Sequence, residues 1–591
     1  MPSVNLEKIG LIGNCQFSAL VGADGEVTWC CLPRFDSPPL FGSLLDPDAG
    51  SFLIAPADGS EGTQRYIENT NVLETRFSGP DGSFRVLDFA PRFTVHERGF
   101  RPTKLVRIVE PLEGTPRVRV VCNPIRGWEK TRPELEYGSN HINFLGYPTT
   151  VRLTTDIPIS YIGGPAFALS QKRHLVLSWG APVEEPLQPL CDRFLDSTVA
   201  YWVRWVKHCD IPTLFQKEVI RSALALKLHC FEDTGAIVAS MTTSIPESLG
   251  SGRTWDYRYC WLRDAYYVLA AFELLGHFEE REQFLHFILT VASSAADLDL
   301  APLYRVDATL DLGESELPHW AGYEGSGPVR KGNAAAEQVQ HDIYGELVLS
   351  LAPLFMDERF RTDQTPATLS LLTRLARKAI AVAGLPDAGI WEYRAETSAT
   401  QTFSVLMSWA AADRMRAVAE RHAPELVAEF GEAADRLRDE ILERAWNPER
   451  GSFTSSYDGA DLDAAMLHVV TLRLLAPDDP RAASTVDTLR ATLEDSGWMY
   501  RYRAEDDFGT PAIPFVICTF WLVEALARIG RVEESRDLLT RVQAKLPALG
   551  LMSEDYDPAE GRFWGNFPQA YSHVGMIRAA FAASPAWHEV L

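Results

Sequence analysis

Apolar residues follow two different rhythms along the chain. Up to about residue 190 they come in short runs broken by polar positions, as in Glu26 to Leu32 (EVTWCCL), Arg117 to Cys122 (RVRVVC) and His174 to Trp179 (HLVLSW). Alternation with a period of two marks a half-buried strand. Asp24-Gly25, Asp58-Gly59, Asp81-Gly82 and Gly163-Gly164 punctuate these runs as turns. Many short antiparallel strands predict a β-sandwich over residues 1–190.

From about Asp192 the period lengthens. Residues 191–212 read as a helical linker, and 213–591 carry apolar stripes at i, i+3, i+4 and i+7. These stripes predict twelve helices, near 215–231, 263–275, 278–296, 334–355, 366–384, 401–421, 426–445, 461–475, 480–495, 514–529, 532–546 and 569–583. Six hairpins of this kind close into a double ring, with inner helices apolar all round and outer helices amphipathic. An open solenoid is the alternative, but no repeat of fixed length is visible. The gaps 232–262, 297–333, 385–400 and 547–568 are long, aromatic and glycine-rich, so at one end of a closed ring they wall a pocket.

Composition narrows what such a pocket can bind. The 591 residues include 56 Lys+Arg against 80 Asp+Glu, a formal charge of −24, which repels phosphate backbones and disfavours nucleic acid as a partner. No stretch approaches the ~20 apolar residues of a membrane helix, so no membrane association is expected. The start, MPSVNLEKIGLIGNC, has no secretory pattern, and nine cysteines without a C-x-x-C pair fit reduced, buried thiols; the expected location is the cytoplasm. No H-E-x-x-H or nucleotide-binding glycine loop appears, so neither a metal nor a cofactor is expected. The exposed faces of sandwich and ring are compatible with an oligomer.

The long loops concentrate Trp, Tyr, Arg and carboxylates: Trp255 to Asp264 (WDYRYCWLRD), Trp320 to Tyr323, Trp391 to Arg394 (WEYR) and Ser553 to Asp557 (SEDYD). Rings stack on the C–H faces of a pyranose while Asp and Arg fix its hydroxyls, so the combination suits a sugar. Glycosidic cleavage needs two carboxyl groups, one protonated and one ionised. Glu392, between Trp391 and Tyr393, is the expected acid, because flanking rings would desolvate it and raise its pKa; Glu554 is the expected base.

The sequence resembles bacterial members of glycoside hydrolase family 15, the glucoamylase and trehalase family, over nearly its whole length. The resemblance rests on Ile9 to Asn14, Asp24 to Ser37, Thr242 to Glu247, Trp255 to Ala265, Gly322-Tyr323, Pro328 to Asn333, Gly389 to Arg394 and Gly565 to His573. It implies an N-terminal antiparallel β-sandwich followed by an (α/α)6 barrel, and an inverting mechanism. Glu392 matches the family's general acid and Glu554 its general base. Arg263 and Asp264 match the pair that holds the non-reducing glucose, Trp255, Tyr323 and Trp391 would line that subsite, and Arg501 matches an arginine contacting the next sugar, a place Arg503 fits equally by spacing. The chain departs from its relatives at Thr254, Thr400, Ser404-Val405 and Ala512-Ile513.

The resulting expectation is an exo-acting α-glucoside hydrolase that releases β-glucose from a small oligosaccharide or disaccharide. Trehalose is the first choice and malto- or isomalto-oligosaccharides the second. An inverting phosphorylase would replace the base carboxylate with a phosphate-binding cluster, and Glu554 argues against it. A family member repurposed for a non-hydrolytic biosynthetic reaction would have no need of both carboxylates.

Overall fold

Two antiparallel sheets occupy residues 9–179 of the computed structural model, which describes residues 5–394 and 399–591. In the first sheet Ile9–Gly13, Ser18–Gly22, Glu26–Cys31, Ser51–Pro56, Arg117–Asn123 and Phe167–Ala168 lie side by side in that order, with Pro39–Phe41 added to Glu26–Cys31. The second runs Leu135–Tyr137, His141–Phe144, Val151–Thr155, Arg173–Trp179, Lys104–Gly114, Gly82–Phe89, Leu73–Gly79 and Thr63–Tyr66. Their facing sides share a core that includes Phe52 and Ile54 from one sheet and Phe77, Phe84 and Leu177 from the other. The result is the expected sandwich. Inside it Arg107 donates to Asp88 at 2.7 Å and to the Gly25 carbonyl at 2.8 Å, so the buried guanidinium is fully engaged with acceptors.

Both outer faces of the sandwich are covered. Helix α1 (Leu187–Lys207) lays Leu190, Cys191 and Phe194 against Val106, Ile108 and Val176 of the second sheet. It begins four residues before the expected linker, directly after Pro186, and ends at Lys207. The first sheet turns Ile9, Leu11, Leu20 and Trp29 into the same apolar core as the helices that follow.

Those helices form two concentric rings. The inner ring is α3 (Leu262–Leu274), α5 (Asp342–Leu351), α7 (Thr402–His422), the short α9 (His468–Thr471) with the 3-10 turn before it, α11 (Val516–Arg528) and α13 (Ala570–Ala583). Each packs on the next, and α13 packs back on α3, which closes the ring. The outer ring is α2 (Gln216–His229), α4 (Glu279–Ser294), α6 (Pro366–Val382), α8 (Val427–Arg444), α10 (Pro480–Leu493) and α12 (Val532–Gln543). Burial follows the rings: α13 is buried on nearly every side, whereas α12 buries only Ser535, Leu538, Leu539 and Val542. The architecture is the (α/α)6 barrel, and the open solenoid is excluded.

Two predicted helices are shorter than their apolar stripes suggest. In 334–355 the chain makes a 3-10 turn at Ala334–Glu337, leaves the helix through Gln338 to His341, and becomes α-helical only at Asp342–Leu351, where Pro353 stops it. In 461–475 a 3-10 turn Ala464–Leu467 runs into a single α-turn before Arg473 takes φ +71°. Among the described residues no helix is long and apolar enough to cross a membrane. All nine cysteines are unpaired, and all but Cys209 are buried.

Candidate active site

The loops at one end of the barrel enclose a cavity of roughly 910 Å³, open solvent at its mouth included. Trp255, Arg263, Asp264, Trp391, Glu392, Arg501 and Glu554 all line it. Four separate loops and helix starts therefore bring together residues spread over 300 positions of sequence.

Trp261 ends the strand Cys260–Trp261, and Arg263 stands in the first turn of α3. Both reach Glu392. Trp261 Nε1 and Arg263 Nη2 each donate to Glu392 Oε1 at 2.7 Å. The same guanidinium donates through Nη1 to Gln340 Oε1 at 2.7 Å and Asp342 Oδ2 at 3.0 Å, and through Nε to the Tyr571 hydroxyl at 3.2 Å. Glu392 takes φ +57°, a left-handed conformation in which a non-glycine residue is strained. The turn that forces it is closed by Glu392 N–H to the Gly389 carbonyl and Tyr393 N–H to the Ala388 carbonyl, both 3.2 Å. Trp391 turns its indole N–H to Asp463 Oδ2 at 2.8 Å, and two hydrogen-bond donors meet the Glu392 carboxylate.

Asp264, at the floor, is 4% exposed, and burial raises its carboxyl to about 7 against the opposing pull of Arg263. Glu554 is equally buried. Desolvation and the neighbouring Glu247 carboxylate push it well above the ordinary carboxylate range, while Arg501 and a hydrogen bond with Tyr257 act the other way. Asp555 is pushed up by its burial and by the same Glu247. Glu247 is itself held by Arg501 Nη2 at 2.7 Å and by Trp255 Nε1 at 3.3 Å.

The loop carrying Glu554 is tied on both sides. Val516 N–H donates to the Glu554 carbonyl at 2.9 Å, the Ser572 hydroxyl to the Ser553 carbonyl at 2.6 Å, and the Ser553 hydroxyl to the Gly565 carbonyl. Gly565 has φ +83°, and a Cβ there would stand 2.8 Å from Glu554 Cβ, so only glycine allows the strand Arg562–Trp564 this close behind the carboxylate. His573 and Gln569 bind the same loop through the Met552 N–H (3.3 Å) and the Met552 carbonyl (3.0 Å) respectively.

Other expected residues are placed differently. Tyr323 does not line the cavity: it is buried behind the Glu554 loop, where its hydroxyl accepts from Arg562 Nη2 at 2.9 Å and its ring meets Trp564 edge-on. The turn that follows Gly322 and the Glu324–Arg562 ion pair hold it there. Of the two arginines that fit by spacing, Arg501 lines the cavity, and Arg503 is exposed over the Tyr500 ring. Trp255 reaches the cavity, with the guanidiniums of Arg330 and Arg394 4.7 and 4.2 Å from its ring centroid. Thr254, Thr400, Ser404, Val405, Ala512 and Ile513 all lie outside the lining.

Sequence reasoning gave no individual role to Glu247, Tyr257, Trp261, Gln338, Asp506, Phe508 and Tyr571, which also line the cavity. Trp261 was discoverable from its spacing of two before Arg263 at a strand end. Gln338 was hidden by the assumption of an unbroken helix. Among the described residues no group of three His, Cys, Asp or Glu side chains is arranged to hold a metal ion.

Comparison with known proteins agrees with the fold. Residues 214–581 match the family model for glycosyl hydrolases family 15, and residues 2–156 match the trehalase-like N-terminal domain. A trehalase of Mycobacterium tuberculosis is 34% identical, covering 96% of this chain and 88% of its own, and one of Mycolicibacterium smegmatis is 33% identical over 96% and 90%. A bacterial glucoamylase solved in complex with acarbose shares the fold with a TM-score of 0.68 at 14% identity, covering 98% of this chain and 94% of its own. On the strength of the barrel-wide match and these near-full-length relatives, the chain belongs to family 15 of the glycosyl hydrolases.

Proposed function

We propose that the protein hydrolyses trehalose with inversion of configuration, Glu392 acting as general acid and Glu554 as general base. The observation that carries this reading is that both carboxyl groups line one cavity with Arg263 and Asp264 at its buried end. In that arrangement Glu392 gives its proton to the glycosidic oxygen as the bond to the anomeric carbon breaks. A water on the opposite face attacks that carbon and loses a proton to Glu554. The products are one β-glucose and one α-glucose. An attacking water requires the two carboxyl groups to stand roughly 6.5–9.5 Å apart, against ~5–5.5 Å for a direct nucleophile. Arg263 and Asp264 would fix the hydroxyls of the reacting glucose, and Arg501, anchored on Glu247, would face the second ring.

The substrate rests on the relatives named trehalase, which this chain matches over more than 90% of its length. Nine unpaired cysteines fit a reducing compartment, and we assign the protein to the cytoplasm. The test is proton NMR of the anomers formed from trehalose in phosphate-free buffer. Equal early amounts of α- and β-glucose are expected. α-Glucose alone would refute inversion, and cleavage of maltose without cleavage of trehalose would move the activity to the glucoamylase type.

A further inference from the structure

Burial separates the floor of the cavity from its mouth. Arg263, Asp264 and Glu554 are almost fully enclosed, whereas Arg394, Asp507 and Phe508 are exposed, Phe508 at 41%. The loop 503–511 therefore stands in the entrance, and it is fastened there. Asp506 accepts from the Arg253 guanidinium, from the Tyr502 hydroxyl and, at 2.8 Å, from the Phe508 N–H. Arg253 Nη2 also donates to the Gly509 carbonyl at 2.8 Å. Asp507 Oδ2 accepts the backbone N–H of Arg394, two residues beyond Glu392, at 2.7 Å. The Phe508 ring meets Trp255 edge-on with centroids 5.0 Å apart. Arg394 lies over Trp255 while both of its terminal nitrogens are held by Glu314, at 3.0 and 2.8 Å. Three loops, carrying Trp255, Glu392 and Phe508, thus interlock across the opening.

We propose that Phe508, held in the entrance by Asp506 and Asp507, is a specificity-determining residue that confines the leaving side of the pocket to one hexose, so that disaccharides enter and longer α-glucans are refused. This rests on the hydrolase reading above. An exo-acting pocket holds the terminal sugar at its blind floor, places the second ring toward the mouth, and sends any third ring out through it. Here the phenyl ring and Arg394 occupy that exit. A longer chain must break the Asp507–Arg394 and Arg253–Gly509 hydrogen bonds and part Phe508 from Trp255 before it can bind. A second ring, by contrast, gains the phenyl as an apolar wall for its C–H face.

The test compares kcat/KM for trehalose, maltotriose and maltopentaose in the wild type, Phe508→Ala and Asp507→Ala. Phe508 is on an exposed loop, so its truncation spares the fold, and Asp507→Ala cuts the loop's tie to the Arg394 backbone without touching the ring. The wild type should strongly favour trehalose, and the ratio of maltotriose to trehalose should rise about tenfold or more in Phe508→Ala and in the same direction in Asp507→Ala. No gain on either oligosaccharide in both variants overturns the proposal. So does a wild type that cleaves maltopentaose as readily as trehalose, a result that leaves the hydrolase reading standing. A wild type inactive on every α-glucoside overturns both.

Discussion

Arg263 Nη2 donates to Glu392 Oε1 at 2.7 Å, joining the first turn of an inner barrel helix to a loop residue 129 positions later. The same guanidinium also engages Gln340, Asp342 and Tyr571. Arg263→Lys keeps the charge and loses the planar fork, so one ammonium must choose among these acceptors. Steady-state kinetics should show kcat/KM reduced about 100-fold or more, with cooperative unfolding retained. Rates within a few-fold of wild type would show that Arg263 does not orient Glu392.

Glu392→Gln and Glu554→Gln should each lower kcat by about 100-fold or more at unchanged volume and fold. They should differ with the leaving group. Aryl α-glucosides that leave without protonation should be largely spared by Glu392→Gln and not by Glu554→Gln. The two roles are exchanged if the sparing appears in the other variant.

As the proposed base Glu554 must be ionised to accept a proton, so the acidic limb of kcat/KM against pH should lie above the usual carboxylate range, as its burial and Glu247 dictate. Glu247→Gln removes a nearby negative charge and frees Arg501 for Glu554. Both changes favour the ionised form, and the limb should move to lower pH. A limb that stays in place would mean that Glu247 does not set the proton affinity of the base.

Glu346, one helical turn beyond Asp342 on α5, is 0% exposed, and neither of its carboxyl oxygens has a hydrogen-bond partner among the described residues. Burial and Asp342 push its pKa well up. The folded protein therefore keeps a proton that the unfolded chain releases above about pH 4.3. From there up to the folded-state pKa, the wild type should lose about 1.4 kcal/mol per pH unit relative to Glu346→Gln, which has no proton to lose. Thermal unfolding at a series of pH values should show the variant gaining on the wild type as pH rises from 4 to 8. A constant difference in Tm would mean that Glu346 is ionised in the folded state.

The rings and the sandwich were legible because period-two and period-3.6 patterns report which faces are buried, and that is all such patterns report. They could not distinguish a continuous helix over 334–355 from a turn, a loop and a helix, because the loop residues Gln338 and Gln340 fall among apolar positions. The two carboxylates and Arg263 were legible from the family motifs. Glu247 and Phe508 were not, because their importance comes from loops that meet only when the ring closes. Tyr323 was misplaced for the same reason: an aromatic beside a glycine turn carries no sign of which side of the Glu554 loop it will face.

The change of rhythm near residue 190 looks like a place where the chain could be divided, yet the two units are not separable parts. The Trp29 indole N–H donates to the Met241 carbonyl at 2.8 Å, and the buried Arg258, paired with Asp256 beside the Trp255 loop, donates to the Ser37 carbonyl at 2.7 Å. A barrel expressed alone would expose the apolar face on which the first sheet sits and leave the Arg258 guanidinium short of acceptors, while loss of the Trp29 side chain alone should cost about 3–5 kcal/mol. For anyone shortening this enzyme or grafting its pocket onto another scaffold, the sandwich has to travel with the barrel as the floor beneath the loop that bears Trp255.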